Sequence, residues 1–162
     1  MDSKLISIYL QDHMAGAIAG VELARRVAGS NEATGYGRDL AEVCAEIEQD
    51  REVLSQVMDR FDVRANPVKQ GSAWVGEKLG RLKLNGRLSG YSPLSRLIEI
   101  EGLVIGVSGK LELWRSLRAV GNSDRRLEGF DLKRLIARAE SQRKRLQALH
   151  DRAARDALAG EA

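Results

Sequence analysis

The chain has one cysteine, Cys44, so no intrachain disulfide is available to it. A lone cysteine fits a reducing compartment, and we expect a cytoplasmic protein. Two prolines and an aromatic content of 4% argue against sheets, which favour aromatic and β-branched residues. Long hydrophobic runs are missing too. The charge-free stretch 14–21 falls far short of the roughly 20 residues that span a bilayer, so no membrane insertion is expected. The run 5–10 is too short for the apolar region of a signal peptide and is broken by Ser7. No sign of charge dominates. Against 26 basic side chains stand 23 acidic ones, for a net charge of +3. That mixed surface gives no specific nucleic-acid signal. Phosphate loops and G-x-S-x-G nucleophile elbows are absent as well.

What is present is helix periodicity. The 162 residues suit one domain with a core of its own, and 43% hydrophobic content is too high for disorder. A first helix is expected over about 3–29, with Ile6, Leu10, His13, Ala17, Gly20 and Ala24 on one stripe. Its Gly16 and Gly20, spaced G-x-x-x-G, are expected to admit close approach by a neighbouring helix. After turn residues 29–37, a second helix is expected over about 38–61. There Leu40, Val43, Ile47, Asp50, Leu54, Val57 and Phe61 repeat at heptad-like spacing. The short turn makes the pair an antiparallel hairpin.

A third helix opens with Ser92 as its cap and Pro93 at its first position, and runs to about 120. Leu94, Leu97, Glu101, Val104, Ser108 and Leu111 share one face. Ile100, Val107 and Trp114 widen it, so this helix is apolar around most of its circumference. A fourth is expected over about 131–158. Leu132, Leu135, Ala139, Gln142, Leu146 and His150 face inward, and basic and acidic residues mix on the outside.

Between the two hairpins lies a connector at 62–93, far longer than a turn. Asn66 and Pro67 are expected to open a short helix inside it. From 63 to 90 it carries six basic side chains against the lone Glu77, a net charge of +5. Lys78, Arg81, Lys83 and Arg87 form a possible surface for an anionic partner; the alternative is a solvated, charged connector.

Hairpin, long crossover, hairpin gives an all-α four-helix bundle. In outline it resembles the ferritin-like superfamily, whose bundles have one long crossover. The resemblance rests on helix number, helix length and crossover position. The superfamily's di-iron centre draws a Glu-x-x-His from each of two helices, and this chain has none. Its nearest remnants are Glu46-x-x-Gln49 and Gln147-x-x-His150. Ferroxidase activity is therefore not carried over with the resemblance.

Four ionisable groups fall on the apolar stripes, one per helix: His13, Asp50, Glu101 and His150. Buried charge needs a partner. At 1.5 Å per residue, Glu101 and His150 each lie about 12 Å from one end of the bundle, Asp50 about 18 Å and His13 about 24 Å. Glu101 is therefore expected to pair with His150, and Asp50 with His13. Two histidines and two carboxylates are also a ligand set for Fe, Mn or Zn. Two functions follow. One is a non-enzymatic protein acting by binding or self-association, the latter suggested by a second apolar strip of Leu5, Ala19 and Leu23. The other is a metal-binding redox protein using those four groups.

Overall fold

In the computed structural model, residues 3–64, 91–121 and 124–159 are described. Among them are four long helices and no strand: α1 (Ser3–Ser30), α2 (Gly37–Arg60), α3 (Pro93–Gly121) and α4 (Leu132–Leu158). A 3-10 turn, Arg125–Leu127, lies between α3 and α4. No described helix is long and apolar enough to cross a membrane. The connector's expected helix and its basic residues Lys78, Arg81, Lys83 and Arg87 lie outside the described residues.

The helix ends follow local chemistry. Ser92 Oγ accepts from the Ser95 backbone N–H at 3.0 Å, and Pro93 takes the first helical position, where no N–H is needed. Asp131 does the same for α4, accepting from the N–H of Arg134 at 2.9 Å. At the end of α2, Asp62 adopts a left-handed φ of 55°. The Val63 N–H then closes back onto the carbonyl of Met58 at 2.9 Å, with both side chains buried. Gly37 opens α2 where a Cβ would meet the Glu32 carbonyl oxygen at 2.5 Å, so the turn has no room for a side chain.

Contacts fix the directions of the helices. At one end of the bundle Asn31 meets Tyr91 and Tyr36 meets Asp156. At the other, the Arg60 guanidinium stacks over Phe130 and that of Arg126 over Phe61. Neighbouring helices are thus antiparallel, in the order α1, α2, α4, α3 around the bundle. The diagonal pair α2 and α3 runs parallel, and α2 ends opposite the end at which α3 begins.

The core is in two parts. One holds Leu10, Met14, Leu54, Val57, Leu111 and Trp114; the other holds Val27, Leu40, Val43, Ile100, Leu103 and Leu146. Truncating one of these buried leucines to alanine typically costs about 2–5 kcal/mol. Polar side chains occupy the level between the two clusters.

The rotation of α3 differs from the expected one. Its buried line is Ile100, Leu103, Val107, Leu111, Trp114 and Leu117. Glu101 is exposed, and the buried acid is Glu99. The cause is the helix's own composition: with apolar residues on nearly every side, periodicity does not select one face. The vertical register against α4 is close to the expected one, because Lys110 reaches Gln142 and Arg115 reaches Glu140. The second apolar strip of α1 is largely covered within the chain. Ala19 is buried and Leu23 packs into the core, while Leu5 is exposed.

Candidate functional site

Asp50 sits midway along α2 and is 1% exposed. A carboxylate at that depth must be compensated. Its Oδ1 accepts from Arg138 Nη2 of α4. Its Oδ2 accepts from Lys110 Nζ of α3 and from Gln142 Nε2 of α4, the latter at 3.0 Å. Lys110 Nζ also donates to Gln142 Oε1 at 2.6 Å. Asp50, Lys110 and Gln142 therefore close a triangle of hydrogen bonds that ties three helices together. Arg138 extends it to Gln49 at 3.2 Å, and one turn away Arg145 pairs with Glu46. Burial pulls the Lys110 ammonium below its ordinary range, and Asp50 opposes that pull. Two cations face one carboxylate, so Asp50 and its direct partners carry one surplus positive charge.

Beside this network lies a cavity of about 220 Å³ between α1, α2 and α3. Asp50 and Lys110 line it, with Leu54, Leu103, Val107 and Trp114 as apolar walls. Five glycines, Gly16 and Gly20 of α1 and Gly102, Gly106 and Gly109 of α3, line it as well. Close helix contact does not account for four of them. Among the described residues, a Cβ added at Gly16, Gly20, Gly106 or Gly109 would meet no atom within 4 Å. The G-x-x-x-G of α1 therefore does not serve the close approach expected of it; it borders open space. Only Gly102 is tight, 3.1 Å from a Leu23 methyl. Trp114 is fully buried, and its indole N–H has no acceptor among the described residues.

The residues singled out in the sequence are not gathered together. His13 lines the cavity near Asp50 but is not bonded to it; its ring stands edge-on to Tyr9, centroids 4.5 Å apart. Burial lowers its affinity for a proton, against the opposing pull of Asp12. Glu101 is exposed. His150 is half-buried, and its Nδ1 lies 3.4 Å from Gln147 and 3.5 Å from Asp151 on its own helix. The expected pairs Glu101–His150 and Asp50–His13 are not formed. The first fails because of the rotation of α3, the second because Lys110, Arg138 and Gln142 already satisfy Asp50. Among the described residues no three His, Cys, Asp or Glu side chains come together as a metal ligand set. The donor chemistry agrees: both oxygens of Asp50 face cations, which would repel a metal ion. The di-iron centre of ferritin-like proteins does not fit these residues.

Sequence reasoning missed Lys110, Arg138 and Glu99. A signal for Lys110 was present, since it is the sole basic residue between Arg96 and Arg115 on a largely apolar helix. Glu99 accepts from Arg26 and, at 2.8 Å, from the Tyr91 hydroxyl. Asn31 donates to that hydroxyl at 3.0 Å and accepts from Arg96 at 2.5 Å. Burial, followed by the charge of Glu99, raises the Tyr91 phenol well above its usual range. This second network fastens the end of α1 to the start of α3. Cys44 is buried, and burial raises its thiol, which makes it a poor nucleophile at neutral pH. Compared with known proteins, the chain matches no protein family, no curated protein and no solved structure.

Proposed function

We propose that the chain is a non-enzymatic, ferritin-like helical bundle of the cytoplasm that binds a small molecule in the glycine-lined cavity. The ferritin-like reading is supported by two antiparallel hairpins whose inner helices, α2 and α3, run parallel. A single buried cysteine supports a reducing compartment.

The observation that carries the binding reading is the open space at Gly16, Gly20, Gly106 and Gly109. Glycine inside a helix costs about 0.5–1 kcal/mol relative to alanine. Alanine would fit at all four positions, so packing alone does not require glycine there. Side chains longer than alanine's would project into this open space, which glycine leaves clear beside Asp50 and Lys110. A concave, mostly apolar pocket with a few polar groups at one side is the usual form of a small-molecule site.

The test is a thermal-shift screen of small organic compounds on the wild type and on Gly106→Leu, which adds a bulky side chain at the cavity wall. A ligand of the native state raises Tm, and by more as its concentration rises above Kd. At least one compound should raise the Tm of the wild type and leave that of Gly106→Leu unchanged. A screen in which every stabilising compound acts equally on both proteins would remove the cavity as the binding site.

A further inference from the structure

We infer that the cavity takes a compact monocarboxylic acid with an apolar body, its carboxylate received by Lys110 and by the indole N–H of Trp114. This rests on the reading of the cavity as a binding site and adds the chemical class of the ligand.

The first argument is an account of donors. The Lys110 ammonium has three N–H groups and donates to two acceptors, Asp50 and Gln142. Trp114 has one N–H, deeply buried and without an acceptor. Both residues line the cavity. A buried donor left unmade is costly, so the missing partner is an acceptor. Asp50 offers no such demand on a ligand, since its two oxygens already receive three hydrogen bonds. Beside Asp50 the site therefore offers donors, while the carboxylate there is already engaged.

The second argument is charge. Asp50 neutralises only one of Lys110 and Arg138, and of these two cations Lys110 lines the cavity. At the rim, Asp12 and Arg51 add one charge of each sign. One negative charge on the ligand leaves the buried cluster neutral. A charge-assisted hydrogen bond in such surroundings is about twice as strong as a neutral one.

The third argument is size. A dry cavity of about 150 Å³ in another protein accommodates benzene. The cavity here, at about 220 Å³, leaves room for a carboxylate beyond a ring or a branched chain of that bulk. Leu54, Leu103, Val107 and the Trp114 ring supply the apolar walls that such a body needs.

The probes are benzoate and 3-methylbutanoate, each set against its neutral amide, with affinities read by calorimetry. On the wild type, each acid should bind at least about tenfold tighter than its amide. Lys110→Met should erase that difference. Trp114→Phe keeps an aromatic ring but removes the donor and part of the bulk, so it should weaken both acids more than it weakens their amides. Because the acid-to-amide comparison is made on the wild type, it stands even where a variant folds poorly. Amides binding as tightly as acids would overturn the ligand class and leave the cavity a binding site. Acids binding Gly106→Leu as tightly as the wild type would place their site elsewhere and overturn both readings. No binding of either series to the wild type would overturn the ligand class, while the wider screen decides the cavity by itself.

Discussion

Asp50 of α2 and Lys110 of α3 stand on diagonally opposed helices, yet they are joined by an ion pair through the centre of the bundle. Removing one member leaves the other buried and uncompensated. Asp50→Ala strands both Lys110 and Arg138 and should destabilise the fold by about 3–5 kcal/mol. The double variant Asp50→Leu/Lys110→Met should lose much less than the two single losses added together. Urea melts of the four proteins measure the coupling. Additive losses would mean that the pair does not interact in solution.

The glycines of the cavity and the glycine of the turn should respond in opposite directions. Gly16→Ala and Gly106→Ala place a methyl where nothing lies within 4 Å and should each stabilise the protein by about 0.5–1 kcal/mol. Gly37→Ala drives a methyl against the carbonyl oxygens of Glu32 and Asn31 and should destabilise by more than 1 kcal/mol or so. Thermal melts of the three variants separate the cases. A loss of stability in Gly16→Ala would show that the space beside α1 is filled in solution.

Glu99 and Glu101 report the rotation of α3. Glu99→Gln weakens a buried, charge-assisted contact with Arg26 and should cost about 1–3 kcal/mol. Glu101→Gln alters an exposed side chain and should stay within about 0.5 kcal/mol of the wild type. Equal effects in denaturant melts would reject the observed rotation.

His13 should make the fold sensitive to mild acid. Burial is the larger influence and lowers its pKa in the folded state from 6.5, with Asp12 acting the other way. Below pH 6.5 and down to the folded value, the unfolded chain binds the proton more readily. Stability is therefore greatest, as far as His13 is concerned, above that window and declines as the pH falls through it. His13→Gln should lose this part of the decline. The check is the difference in urea midpoint between pH 7.5 and about pH 5, measured for both proteins. An equal difference in the two would mean that His13 titrates alike in the folded and unfolded chains.

Much of the fold was legible in the sequence, because caps and turns are local signals. Ser92, Pro93 and Asp131 marked helix starts that the structure places within a residue of expectation. Asp50 and Gln142 were legible as inward polar groups because their helices have one clear apolar stripe. The face of α3 was not legible. Ile100, Val104, Ile105 and Val107 surround its axis, and a choice one residue away exchanges Glu101 for Glu99 and hides Lys110. The partners of Asp50 were obscured for a different reason. Lysine and arginine have stems long enough to reach inward from the edge of a stripe, so the positions of Lys110 and Arg138 in the helical pattern do not show that their charged ends meet Asp50.

The central ion network draws on α2, α3 and α4 and takes nothing from α1. Between Asp12 and Ala24, α1 makes no side-chain hydrogen bond to another helix among the described residues, and its wall of the cavity is held by apolar contact alone. The outward swing of that segment breaks no ion pair, whereas displacing any other helix breaks the triangle around Asp50. α1 is thus the seam of the bundle. Its middle amides should exchange with solvent deuterium ahead of those around Asp50 and Gln142, and a bound ligand should slow them first.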